Sequence, residues 1–419
     1  MTGAGLDSDV MSRINDADGH EMVPAELWGE AFGDTAASIV PFMGIYLSEE
    51  VLGANALSRP HMTSDSTEIT DETVWTVRGP EAPGAIDMTR RLQVLDQMGI
   101  ERQLIFPSFG LLGMLLEGCG EDHVRRVMQI DPTGVDLKQV SRALMAGAND
   151  WAVRALSVDP DRIRAVAVLP VDTLEEMMAE ARRVTDAGCK ALWIPSGMPP
   201  GGRSPAHEDL DQFWAFAAQR DVAVMLHLGT EFGFVKSSAW SDIPKFSPLI
   251  SPSLEIPGAD IYNFATLRMA VENYLTTMVL GGVFERHPGL RFGVIECGAN
   301  WLGPLMESLD MWLQIFPAAG KDLSLLPSEY IQRNVRVTAY PFEPVDTYID
   351  RYPAVMDVLS YGSDYPHVEG GKHSHKRFFE KVSRFGEDFL EKFFVTNARW
   401  LMPPVGNASE SVLERASGR

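Results

Sequence analysis

The run from Arg162 to Gly229, RIRAVAVLPVDTLEEMMAEARRVTDAGCKALWIPSGMPPGGRSPAHEDLDQFWAFAAQRDVAVMLHLG, decides the fold. Three segments in it, RIRAVAVLP (162–170), KALWIP (190–195) and VAVMLHLG (222–229), are short and apolar on both faces. Two amphipathic stretches separate them. LEEMMAEARRVTDAGC (174–189) has apolar residues at helical spacing and Gly188 near its end, and LDQFWAFAAQRD (210–221) follows the same pattern. Two-faced apolar strands alternating with helices are the signature of a parallel sheet covered on both sides.

The alternation continues in both directions. Towards the N-terminus lie a helix in SRALMAGANDWAVRAL (141–156), a strand in ERQLIFPS (101–108) and a helix in IDMTRRLQVLDQMGI (86–100) that stops at Gly99. Towards the C-terminus the spacing predicts a helix in FATLRMAVENYLTTMV (264–279), a strand in GLRFGVIECG (289–298) and a helix in NWLGPLMESLDMWLQ (300–314). NVRVTAY (334–340) is the next strand, VMDVLSYGSDYPH (355–367) is a strand entering a loop, and helices close the chain. With Ile14 to His20 as the first, strands fall near residues 14, 103, 163, 190, 222, 291, 335 and 358. Eight alternating units make an α/β fold and favour a closed (β/α)8 TIM barrel over an open doubly wound sheet.

The chain has 419 residues. At ~150 residues per domain that length suits two or three domains, but a barrel with long loops can use it all as one. The expected organisation is a flexible N-terminus at 1–13, one barrel domain at 14–403 and a flexible tail at 404–419. A long excursion at about 21–85 follows the first strand, and a Pro-containing lid segment at about 229–260 follows the fifth. With 36 basic and 58 acidic side chains the net charge is −22, which disfavours nucleic acid and anionic membranes as partners. Cys119, Cys189 and Cys297 form no C-x-x-C and no even set, so a reducing, cytoplasmic setting is expected. The start lacks a signal-peptide pattern, and no apolar run reaches the ~18 residues of a membrane span. No dinucleotide fingerprint, phosphate-binding loop or nucleophile elbow is present.

Barrel chemistry sits at the carboxyl ends of the strands. The first strand ends in Asp18-Gly19-His20, the fifth in His227, the sixth in Glu296, and the eighth leads to Asp364. Residues i and i+2 of a strand face the same way, so Asp18 and His20 can address one ion. Two imidazoles and two carboxylates converging on one axis make a mononuclear divalent site with room for water or substrate. Each signal alone has a plainer meaning: Asp364 suits a helix N-cap, and a lone His is usually a hydrogen-bonded core residue. Their coincidence at strand ends carries the metal reading.

DADGHE (16–21), HLG (227–229), GGVFERHPGLRFGVIECGANW (281–301) and YGSDYPHVEG (361–370) together resemble the amidohydrolase-related family. The branch is the one with aminocarboxymuconate semialdehyde decarboxylase and the dihydroxybenzoate decarboxylases. The resemblance runs from about Ile14 to Met402, and YGSDYPH is its most specific piece. It implies that Asp18, His20, His227 and Asp364 bind one divalent ion, with zinc expected and manganese the alternative. Two positions depart from the pattern. Many relatives end the sixth strand in His within Gly-His-x-Gly, where this chain has Glu296. Relatives often place a Glu three residues after the first metal His, where this chain has Val23, and Glu21 receives no role.

The expected activity is metal-dependent hydrolysis of a small organic carboxylate or amide, aromatic ones included, through a metal-activated water. Asp364 would be the acid/base, Glu296 would hold the water or substrate, and His367 would orient substrate or Asp364. Non-oxidative decarboxylation at the same site is the alternative; a non-catalytic binding barrel is disfavoured because all four ligand positions are filled. The replacement of His by Glu296 tilts the expectation towards hydrolysis. The partners expected are a small-molecule substrate and further copies of the chain, as a dimer or tetramer. Trp28, Phe32, Phe42, Tyr46, Trp240 and Phe246 in the two long segments are expected to wall the mouth, although oligomer contacts would suit the same composition. His373-Ser374-His375 is read as an exposed, solvated loop, and His287 as structural.

Overall fold

The computed structural model describes residues 9–42, 47–118, 125, 131, 133–231, 234, 238–246 and 261–405. Its strands are β1 (Ile14–Glu21), β2 (Ile100–Pro107), β3 (Ile163–Ala165), β4 (Ala167–Val168), β5 (Ala191–Trp193), β6 (Ala223–His227), β7 (Arg291–Ile295), β8 (Val335–Thr338) and β9 (Leu359–Ser360). All pair in parallel, β1-β2-β3 in one sheet and β4 through β9 in order in a second. The single strand expected near residue 163 is split at Val166. β3 registers with β2 (Ile105 opposite Ala165), whereas β4 registers with β5 (Val168 opposite Trp193). Val166 N still donates to Ile105 O at 2.9 Å, so the two pieces occupy one position of the ring.

The ring closes between its first and last strands. Ala17 N donates to Tyr361 O (3.1 Å), His20 N to Tyr365 O (2.7 Å) and Asp364 N to Asp18 O (2.8 Å). Only Leu359–Ser360 of the long segment expected at 355–367 is strand; Pro353–Asp357 before it is a 3-10 turn, and the residues after it serve the seam.

Period-2 alternation sorts the strand residues into two apolar layers. Leu104, Phe106, Ala191, Trp193, Ala223 and Met225 pack together, while the intervening Ile105, Leu192 and Val224 join the larger core under the helices. Helix ends follow their local signals. Thr173 Oγ1 accepts from Glu176 N to start Leu174–Asp186, and Asp87 caps Met88–Met98 by accepting from Thr89 N. That second helix stops at Gly99 (φ 71°), where a Cβ would lie 2.4 Å from Met11 O. The helix Ser108–Gly118, directly after β2, was not expected from the sequence; its run FGLLGMLLEG is apolar all round and has no helical stripe.

The described part of the excursion at 21–85 is packed structure. It holds short helical turns such as Trp28–Phe32, Glu49–Leu52 and Thr73–Thr76, and it buries Trp28, Phe32, Ile39, Val74 and Trp75. Met22 N donates to Ala85 O, so its two ends meet. Its middle is pinned to the loop after β9: Gly79 N donates to Pro366 O, Asn55 Nδ2 to Glu369 Oε2 at 2.7 Å, and Val368 N to Asn55 Oδ1. No helix among the described residues is long and apolar enough to cross a membrane.

Arg91 ties these parts together from full burial. It donates to Gly84 O, Gln103 Oε1 and His20 O at 2.6–2.8 Å, and its guanidinium lies 4.9 Å from the Tyr365 ring centre. Arg91→Met would leave three buried acceptors unpaired. It should lower unfolding stability by at least about 2 kcal/mol in a denaturant titration; a change within ~0.5 kcal/mol, the usual range for a surface substitution, would mean Arg91 is dispensable.

Candidate metal centre

β1 brings two of the expected residues to the mouth through an irregular strand. Its pairing with β2 shifts register between Asp16 and Gly19, and Asp18 and His20 emerge beside each other, with His20 Nε2 3.3 Å from Asp18 Oδ1. His227, the last residue of β6, continues the alternation of Ala223 and Met225 and points Nε2 at Asp18 Oδ1 (3.4 Å) and Glu296 Oε2 (3.5 Å). Its Nδ1 lies 3.1 Å from Leu228 O, a contact that fixes the proton on Nδ1 and leaves Nε2 with a free lone pair.

Glu296 and Asp364 are reached differently. Ile295 belongs to the inner layer, so regular alternation would turn Glu296 outward; instead it adopts φ 54°. Asp364 adopts φ 53°. Left-handed backbone at a non-glycine residue is strained and persists only where the surroundings fix it. For Glu296 they do: its N donates to Thr338 Oγ1 at 2.8 Å, and its O accepts from Tyr340 OH at 2.6 Å. For Asp364 the fixed point is Asp18 O, which accepts its N–H.

The side chains form two overlapping groups of four, in each of which the ligand atoms lie within 4.8 Å of one another. Asp18, His20, His227 and Glu296 make the first; His20, Glu296, Asp364 and His367 make the second. His20 Nε2 lies 3.4 Å from Asp364 Oδ1 and 3.9 Å from Glu296 Oε2, and His367 Nδ1 lies 3.0 Å from Asp364 Oδ1. Among the described residues no Lys or Arg forms an ion pair with Asp18, Glu296 or Asp364. His20 Nε2 and both oxygens of Asp364 are buried without a hydrogen-bond partner. Orphaned donor atoms in a buried, acid-rich group fit a divalent cation.

The protonation pattern follows from crowding. Burial opposes ionisation of Asp18, but the adjoining imidazoles of His20 and His227 hold it down to about 2. Burial, then the nearby charges of Asp364 and Asp18, push Glu296 well above the ordinary carboxylate range. Burial, then Asp18, does the same to Asp364. Burial and the neighbouring His367 lower His20.

Several residues with no expected role surround this centre. Asp16 accepts from Ser363 N, Ser363 Oγ and Gln103 Nε2, and burial raises it to about 7. Glu21, one residue past His20, is buried and accepts from Val23 N and Phe109 N. Ser108 donates to Glu21 O (2.7 Å) and lies 3.2 Å from His367 Nε2 and 3.5 Å from His20 Nδ1. Asp16 and Glu21 lie within DADGHE and Ser363 within YGSDYPH, so those runs held the signal. Ser108 had none, because it adjoins the site only through the pairing of β1 with β2.

The expected walls of the mouth are met in part. Trp28 lines a cavity of about 100 Å³ with Val23, Leu57, Ser108, Phe109 and Leu112. Phe32 stacks on Phe109 at 4.0 Å in the core. Trp240 is 72% exposed, and Phe246 packs on Tyr262. The Phe42 side chain, Tyr46, Cys119 and most of the lid segment lie outside the described residues. His287 bonds Asp211 Oδ1 at 2.8 Å, a structural contact.

His373 and His375 correct the expectation of a solvated loop. His375 stacks on Trp75 at 4.0 Å, and both rings are partly buried because the excursion covers them. Burial, with Lys376 and His373 adding, lowers His375 from 6.5 to about 3. The folded chain therefore refuses a proton that the unfolded chain takes below pH 6.5. This share of stability is complete above that pH and is lost progressively as pH falls towards 3. His375→Gln should flatten the fall in melting temperature between about pH 7 and 4.5; parallel curves for parent and variant would show that His375 has no part in it.

Comparison with known proteins agrees with this geometry. A family model described as Amidohydrolase matches residues 122–402. A gamma-resorcylate decarboxylase of Rhodococcus jostii is 26% identical over 269 residues, 61% of this chain and 74% of the relative. The crystal structure of an amidohydrolase from Mycobacterium avium subsp. paratuberculosis superposes with a TM-score of 0.62 at 20% identity, covering 94% of this chain and 98% of the other. The 5-carboxyvanillate decarboxylase of Novosphingobium aromaticivorans, solved with bound manganese, gives 0.55 at 17% identity, covering 96% and 99%. With the family model spanning more than half of its length, this chain is an enzyme of the amidohydrolase family.

Proposed function

We propose that the enzyme is a metal-dependent, non-oxidative decarboxylase of a small aromatic carboxylate, the alternative and not the leading expectation from the sequence. The observation that carries this reading is the state of Asp364. Its carboxyl is buried, has no hydrogen-bond partner and is pushed towards its acid form, first by burial and then by Asp18. Protonating a ring carbon needs an acid in place, whereas water activation needs a base. The decarboxylase relatives support the same choice.

Asp18, His20 and His227 would hold the ion, with a carboxylate completing the set. A divalent ion there would supply positive charge for a substrate carboxylate and a neighbouring oxygen. Manganese is the ion to test first in place of zinc, because the Novosphingobium enzyme was solved with it. Asp364 delivers its proton to the ring carbon, the bond to the carboxyl carbon breaks, and its electron pair returns to the ring as carbon dioxide leaves. His367 Nδ1 stands 3.0 Å from Asp364 Oδ1 and orients the acid. Ser108 donates to Glu21 O, so it accepts from His367 Nε2–H, and His367 Nδ1 is left to face Asp364. The apolar cavity beside Ser108, with Trp28 and Phe109 in its wall, offers surface for part of an aromatic ring.

The test is mass spectrometry of manganese-loaded enzyme with hydroxylated benzoates and matching amides in D2O. Loss of carbon dioxide with one deuterium at the vacated carbon is expected; gain of water from amides alone would replace this reading with hydrolysis. Asp364→Asn cannot give a proton and should lower turnover by roughly 10²–10⁴-fold. Turnover within a few-fold of the parent would move the proton to another group.

A further inference from the structure

The cavity of about 100 Å³ beside the centre lies between the end of β1, the excursion and the helix Ser108–Gly118. Val23, Trp28, Leu57, Phe109, Leu112 and Leu115 make most of its wall apolar. The polar side chains in the wall are already engaged. Ser108 gives its only hydroxyl proton to Glu21 O, and the Trp28 indole N–H donates to Val23 O at 2.9 Å. The two carboxylate oxygens of Glu21 accept from Val23 N and Phe109 N, each at 2.9 Å. No side-chain donor of the wall is left for a hydroxyl or a charged group, so a polar guest would lose the hydrogen bonds it makes to water.

The surrounding packing holds the cavity open. Phe109 is wedged between the rings of Phe32, centred 4.0 Å away, and Trp28, centred 4.2 Å away. The helix that carries it lies tight against the helix Leu137–Leu156. A Cβ at Gly113 would stand 2.7 Å from Met145 Cγ, and one at Gly110 would stand 3.2 Å from Ala148 Cβ. Movement of this helix into the cavity would forfeit those contacts. An empty space in a close-packed interior lacks partner atoms on its lining, and an apolar guest supplies them.

Two residues of the lining also adjoin the centre. Ser108 Oγ lies 3.5 Å from His20 Nδ1 and 3.2 Å from His367 Nε2. Leu111 packs against the inner strand layer of Phe106, Trp193 and Met225. It also leaves no room for a Cβ at Gly229, two residues past His227, which would stand 2.8 Å from Leu111 Cδ2. Leu111 therefore joins the cavity to the strand end that carries His227.

We propose that this cavity is the subsite for an apolar substituent on the substrate ring, and that the preferred substrate carries a short alkyl group there. The inference rests on the reading that the enzyme decarboxylates aromatic carboxylates, and it names which of them. Apolar cavities of about 150 Å³ take benzene, so this one, at about 100 Å³, suits a group of roughly two to four carbons and not a whole ring. Trp28 and Leu57 belong to the excursion, so the insertion recognises the substituent while the barrel holds the reacting groups.

The test pairs turnover with binding, both on the full chain. Manganese-loaded enzyme is given 2-hydroxybenzoates with hydrogen, methyl, ethyl, propyl or hydroxymethyl at each open ring position. At one position kcat/KM should rise roughly fourfold per carbon up to propyl, and hydroxymethyl should fall below ethyl. Leu57→Phe and Leu115→Phe, which fill the cavity from the excursion and from the helix, should each bring the propyl-to-hydrogen ratio close to one. Leu112→Ala, which enlarges it, should move the optimum to a longer chain. Equal ratios in the parent and both Phe variants, or hydroxymethyl matching ethyl at every position, would overturn the proposal. The second measurement uses xenon, followed by its NMR shift, as an apolar probe that needs no turnover. Xenon should bind the metal-free parent, bind severalfold more weakly to each Phe variant, and be displaced from zinc-loaded enzyme by the propyl compound. Xenon that stays bound when the propyl compound is saturating would separate the cavity from the substrate site and overturn the proposal. Failure of every compound to lose carbon dioxide would remove the decarboxylase reading, while displacement of xenon would still decide the subsite.

Discussion

Three carboxylates, Asp18, Glu296 and Asp364, are buried at the carboxyl end of the barrel beside His20, His227 and His367. Two acids held this close cannot both ionise in a dry site at ordinary cost, and no Lys or Arg among the described residues pairs with them. The surrounding architecture answers that repulsion. The two histidines stabilise the charge on Asp18, while Glu296 and Asp364 are driven towards their neutral forms until a cation enters. A site built this way is a poor energetic minimum when empty and a good one when filled, and metal binding is then also folding free energy.

The barrel supplies what keeps these groups from separating. Glu296 and Asp364 occupy left-handed backbone that unconstrained residues avoid, each fixed by hydrogen bonds from neighbouring strands. Asp16, Ser363 and Gln103 form a closed polar set under Asp18, and Arg91 holds the carbonyl of His20. These contacts touch no substrate, yet they set where the reacting groups stand.

Most of the fold was legible because strand and helix periods differ so clearly between residues 86 and 367. The eight strand positions are where the apolar runs lie, and the capping residues Asp87, Thr173 and Gly99 act as their types suggest. The helix at 108–118 was hidden because an all-round apolar segment has no stripe. The packing of the excursion was hidden because short turns of helix have no period long enough to read. At the centre, Asp18, His20, His227, Glu296 and Asp364 were legible as strand-end residues, and His367 as a loop residue three past Asp364. Their division into two groups was not, because it turns on the backbone angles at Glu296 and Asp364. The burial of His375 was equally out of reach, since Trp75 meets it only through the tertiary fold.

The seam between β1 and the chain after β9 has a consequence for how the protein is made. Asp16 and Ser363 are hydrogen-bonded partners 347 residues apart, and Asp18 meets Asp364 across the same seam. Contacts of such sequence separation form late, and a chain emerging from the ribosome holds Asp18 and His20 long before their partners exist. A half-synthesised chain therefore carries only a weak two-residue chelate, and a competent centre appears when synthesis is nearly complete. The position of the seam thus leaves the centre incomplete in any chain that has not finished folding.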